Sequence, residues 1–139
     1  MTSENEPVSP EEFVIRLIWT AYYNPGLPLP VQSSGFAPRD DETDGISVFR
    51  AACVAYPEDV LVVFAGEKRD RYAIALLPVA EILKLGLTVR PAPIPAIPGH
   101  AVLPELSITA TKADKPFWRG VQKQLAVIAN ARIVRPPKN

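Results

Sequence analysis

Two short stretches of the chain share one grammar, and that grammar sets what the chain can fold into. In PEDVLVVFAG (57–66), Pro57 suits the first helical position, Glu58 and Asp59 suit the positive end of a helix, and Gly66 suits the position just past its last turn. PVAEILKLG (78–86) repeats the pattern, with Pro78 opening a short helix and Gly86 closing it. Between them RYAIALL (71–77) reads as a strand. ISVFRAACVA (46–55), rich in β-branched and aromatic residues, reads as a strand before them, and LTVR (87–90) as one after them. The proline-rich bend RPAPIPAIPG (90–99) then leads into HAVLPEL (100–106), which favours an antiparallel pair. The reading is an α+β domain: a small mixed or antiparallel sheet of about four strands packed with about four helices.

The two ends supply the remaining helices. SPEEFVIRLIWTAYYNPG carries helix-start signals, with Ser9 as cap, Pro10 at the first position and Glu12 closing a capping box, and Asn24-Pro25-Gly26 to stop it. A helix over 10–23 would be apolar almost all round, with only Arg16 and Thr20 clearly polar in its middle. Such a helix is central in the core or covered by another chain, which makes Trp19, Tyr22 and Tyr23 candidate contact residues. KPFWRGVQKQLAVIANA (115–131) reads as a C-terminal helix, capped by Asp114 or Thr111, with Phe117, Val121, Leu125 and Ile128 on one stripe. Residues 1–8 read as a flexible N-terminus and 9–139 as a single globular domain. The connection 24–45 is long for a compact domain, and its apolar residues alternate with proline, so it is expected to lie extended along the body.

Composition excludes more than it identifies. Fifteen basic and fifteen acidic side chains balance, so nucleic acid is not favoured as a partner. One cysteine, Cys53, and one histidine, His100, rule out an internal disulfide and the common multi-ligand zinc sites. No apolar run is long enough for a membrane span, and the acidic, polar N-terminus is unlike a secretory signal, which makes the cytoplasm the expected compartment. The sixteen prolines, about double the usual share, stand at element starts and in two connections rather than in a disordered tract. No cofactor or metal is expected.

The polar residues with a claim to chemistry sit in FAPRDDETDGISVFR (36–50) and beside His100. Asp40, Asp41, Glu42 and Asp44 do not have calcium-loop spacing. They read as a solvated turn with one carboxylate paired to Arg39. In the strand that follows, Ile46, Val48 and Arg50 share one face, while Ser47 and Phe49 share the other. Arg50 is expected to pair with a loop aspartate. His100 is expected to hydrogen-bond a loop carbonyl, and Cys53, in an apolar stretch, to be a buried inert thiol.

PRDDETDGISVFR and, some fifty residues on, GLTVRPAPIPAIPGHAVLPEL resemble an uncharacterised family of small bacterial proteins. Its members carry an RxxDxDG(I/L)SVxR segment and a later (P/G)HA(V/L/I) segment. The likeness spans roughly residues 36 to 106, implies a bacterial origin, and puts Arg39, Asp44, Gly45, Ser47, Arg50 and His100 in the matching segments. It implies no activity. Two functions follow from the residues. The first is a non-catalytic interaction module, an accessory subunit of a bacterial multi-protein system, docking on another chain through the apolar 10–23 helix and the Pro-rich loops. The alternative is a small metal-independent nuclease or other phosphoester- or nucleotide-processing enzyme. There His100 acts as acid/base, Arg39 and Arg50 hold the phosphate, and Ser47 or Asp44 orients the histidine. The absence of any intact catalytic motif favours the first.

Overall fold

A computed structural model describes residues 3–138. Six strands form one sheet in which every pair is antiparallel: β1 (Phe13–Trp19), β2 (Ile46–Arg50), β3 (Tyr72–Pro78), β4 (Arg90–Pro91), β5 (His100–Leu103) and β6 (Ile133–Arg135), in the order β4-β5-β2-β1-β3-β6. Four helices accompany them: α1 (Pro57–Ala65), α2 (Val79–Lys84), α3 (Ile108–Ala113) and α4 (Lys115–Asn130). The α+β class holds. The sheet has six strands where about four were expected.

The first correction accounts for much of that difference. The expected helix 10–23 is the central strand β1 followed by a single 3-10 turn, Thr20–Tyr22. Only half of the Ser9/Glu12 box forms: Glu12 Oε2 accepts from Ser9 N–H at 2.8 Å, but Glu12 N–H goes to the Ser9 carbonyl at 3.0 Å while the Ser9 hydroxyl accepts the Glu11 amide at 3.2 Å. It closes one turn, and the chain then extends. A run apolar on all sides is as well explained by a strand buried on both faces as by a buried helix, and FVIRLIW has the β-branched and aromatic content of a strand. Val14 through Ile18 are all buried. The other strands depart less. ISVFRAACVA is strand only to Arg50, HAVLPEL only to Leu103, and LTVR contributes Arg90 to a two-residue strand. Both α3 and β6 lie in stretches that carry no strong sequence signal.

The sheet has a core on each side. Val14 and Ile18 of β1 face α2 and α4 together with Ile46, Val48, Ala73, Ala75, Leu77, Ala101 and Leu103. Ile15 and Leu17 face α1 with Phe49, Ile74, Val60 and Leu61. Each fully buried aliphatic side chain contributes about 1.5–3 kcal/mol before conformational entropy is counted. No helix among the described residues is long and apolar enough to cross a membrane.

Candidate functional site

The loop before β2 is organised around Glu42, not around solvent. Its carboxylate is buried and accepts from Arg16 Nη1 at 2.9 Å, from the Ser47 amide at 2.6 Å and from the Arg39 amide at 3.0 Å. Arg16, also buried, gives its other hydrogens to the carbonyls of Gly35 at 3.0 and 2.9 Å and of Ser47 at 2.8 Å. Burial alone would push the Glu42 carboxyl up. The Arg16 charge, its hydrogen bond and the two amides outweigh that and hold it below the usual carboxylate range. Arg39 is the expected ion-pair partner, with Nε 3.4 Å from Glu42 Oε1. Asp40, Asp41 and Asp44 are exposed, so only part of the turn is solvated. Gly45 makes the loop's exit possible, since its φ is +127° and a side chain there would collide with the Leu103 carbonyl.

Arg50 corrects a second expectation. Its partner is not a loop aspartate but Glu12, met in a fork by Nε at 2.9 Å and Nη2 at 2.8 Å. The guanidinium is fully buried, and the N-terminal segment curls over it. The carbonyls of Ser3, Glu4, Glu6 and Pro7 accept from it at 2.7–3.4 Å, and Glu4 Oε1 accepts the Gly99 amide at 2.6 Å. The Arg50 hydrogen bond, offset in part by burial, holds the Glu12 carboxyl below its usual range.

His100 stands on the opposite side of the sheet. It pairs across from Phe49, on the α1 side, whereas Arg50 pairs across from Val14 on the α4 side. Its Nδ1 lies 2.7 Å from the Ala92 carbonyl, as expected of a histidine that satisfies a loop, and its Nε2 lies 3.0 Å from Ser47 Oγ. A carbonyl only accepts, so Nδ1 carries the hydrogen and the Ser47 hydroxyl donates to Nε2 in the neutral ring. Ser47 and His100 are therefore together, but neither lines any of the main cavities among the described residues.

A series of aromatic contacts runs across the α1 side from His100 to Phe49 at 5.5 Å, Phe64 at 5.6 Å, Tyr72 at 6.3 Å and Trp19 at 5.0 Å. Arg39 lies over the Phe64 ring, 6.0 Å from its centroid. Phe49 and Phe64 thus stand between Arg39 and His100. Trp19, Tyr22 and Arg39 instead converge with Lys68 and Tyr72 on an open cavity of about 260 Å³. Tyr23 is not among its walls, and its backbone forms an antiparallel bridge with Val31. Cys53 is buried, and burial, only partly countered by Arg50, pushes its thiol up. Glu105 accepts from the Thr88 amide and hydroxyl at 3.0 and 2.7 Å. Among the described residues no group of three or more His, Cys, Asp or Glu side chains is placed to hold a metal ion.

Sequence reasoning missed Arg16, Glu12 and Glu42 as the organising charges. The signal was there: Arg16 is the one charged residue inside FVIRLIW, and an arginine enclosed by apolar neighbours requires a buried acid. Compared with protein-family models, with curated proteins and with solved structures, the chain matches none.

Proposed function

We propose that the protein is a non-catalytic interaction module, an accessory subunit of a bacterial multi-protein system, and that it docks on another chain through the Pro-rich loop rather than through an N-terminal helix. The observation that carries this reading is a groove of about 360 Å³ between residues 27–33 and α4, where Leu27, Leu29 and Val127 stand 44%, 52% and 58% exposed. Exposed leucines on a loose loop would mean little. These sit on a loop held by Asn130, whose side chain accepts the Val31 amide at 2.8 Å and donates to the Val31 carbonyl at 3.0 Å. The Asn24 amide also closes on the Pro30 carbonyl at 2.8 Å. Prolines 25, 28 and 30 fix the backbone further, and an ordered apolar surface loses less entropy on binding.

Lys123 is the charged residue lining the groove. The occupant is accordingly an extended apolar segment of a partner protein bearing an acidic side chain. The test is a random peptide library panned on the wild-type protein. Enrichment of apolar sequences with Asp or Glu is expected, with binding abolished by Leu29→Glu and weakened several-fold by Lys123→Glu. No enrichment, or peptides indifferent to both substitutions, would overturn the reading. The phosphoester alternative receives less support, because Arg50 is sequestered with Glu12 on the far side of the sheet from His100.

A further inference from the structure

The cavity at the end of β1 combines features that the docking groove does not need. Its walls are the half-buried rings of Trp19, Tyr22 and Tyr72, and its charges are Arg39 and Lys68. Trp19 and Tyr72 meet edge to face, at 65° between planes, which braces both rings. Arg39 is braced too, by the Glu42 carboxylate at 3.4 Å and by the Phe64 face beneath it. Yet its hydrogens are not spent. Among the described residues no acceptor takes an Arg39 guanidinium hydrogen in hydrogen-bond geometry, and Nε is buried without one. Arg16 and Arg50, by contrast, give their guanidinium hydrogens to carboxylates and carbonyls throughout. A positioned arginine fork with open donors, a lysine beside it and three aromatic walls form a receptor for a planar ring that carries a dianion.

We propose that this cavity binds a nucleoside monophosphate, with the phosphate between Arg39 and Lys68 and the base against the Trp19, Tyr22 and Tyr72 rings. The volume, about 260 Å³, lies just below the usual range of ligand sites, about 300–1,000 Å³, and the cavity is open, so it takes no more than a single nucleotide with part of it left in water. A nucleic-acid strand is disfavoured, because Asp40, Asp41 and Asp44 are exposed on the loop that carries Arg39 and would repel a continuing polyanion. The other basic cavity, lined by Lys112, Lys115, Arg119, Trp118 and Asp40, carries one aromatic side chain and has a carboxylate among its cations. It makes a useful internal control.

The experiment titrates the full chain with AMP, GMP, CMP and UMP by calorimetry, and follows the indole N–H signals of Trp19 and Trp118 by NMR. At least one monophosphate should bind saturably, shifting Trp19 and leaving Trp118 in place, while the matching nucleoside and inorganic phosphate bind at least tenfold more weakly. Lys68→Gln, at an exposed position, should weaken the monophosphate several-fold and leave the nucleoside unchanged. Arg39→Gln should weaken the monophosphate tenfold or more, with Arg39→Lys restoring part of it. If no monophosphate saturates at millimolar concentration, if Trp118 shifts in place of Trp19, or if affinity is indifferent to Lys68→Gln, the assignment fails.

Discussion

Two loops adjacent in the chain solve opposite problems. Residues 36–45 fold around a buried acid, committing Glu42 to Arg16 and to two backbone amides of the protein itself. Residues 24–32 are tied down just as firmly, by Asn130, but turn Leu27 and Leu29 outward. The first, with its five charges, advertises chemistry, and its central carboxylate delivers architecture. The second, mostly proline and leucine, is held rigid while apolar surface stays exposed. Rigidity and charge are thus separate properties here, and function is better sought where order is maintained without an internal use for what it displays.

Acid should break the first loop most severely, because it discharges the buried Glu42, and with it the half-buried Glu12 that holds Arg50. Glu42 and Glu12 have folded-state values below their unfolded ones. Their contribution is therefore present in full above the unfolded value of about 4.3 and is lost as pH falls through the lower folded values. Thermal melts should show stability falling with acidity in that range, and a flat profile there would remove the assigned role. At neutral pH, Glu42→Gln leaves Arg16 charged and enclosed, and should cost about 3–5 kcal/mol in urea unfolding. Glu12→Gln should cost less, about 1–3 kcal/mol, since the N-terminal carbonyls still solvate Arg50 and the Glu12 side chain is 11% exposed. Glu12→Gln costing more than Glu42→Gln would invert the comparison. The smallest effect belongs to the second loop. Asn130→Ala should cost about 1–2 kcal/mol, but speed hydrogen exchange at the Val31 amide ahead of the rest of the sheet.

How much of this was legible in the sequence depends on whether a residue's partners are local. The three helices at 57–65, 79–84 and 115–130 announce themselves through proline, glycine and a capping aspartate, all within one turn. Strand alternation likewise puts Arg50 and Ser47 on opposite faces by spacing alone. What spacing leaves open is long-range. Whether FVIRLIW is helix or strand is decided by β2 and β3 on either side of it, and that Arg50 answers to Glu12 depends on a contact 38 residues apart. The same holds for the candidate sites. Trp19, Tyr22 and Arg39 could be singled out from the chain, whereas Lys68 and Tyr72, which complete their cavity, could not.

The ends of the sheet carry a last consequence. β4 has two residues and contains Pro91, while β6 has three and runs into Pro136 and Pro137. The long hydrophobic strands FVIRLIW and YAIALLP therefore lie inside the strand order, with β6 covering the middle of β3 opposite Ile74 and Ala75, and each outer strand is short and closed to further pairing by proline. The narrow strip at 133–135 thus acts as a guard against self-templated stacking. Unzipping it would bare the middle of β3 as well, and the damage would show first as aggregation rather than as lost binding.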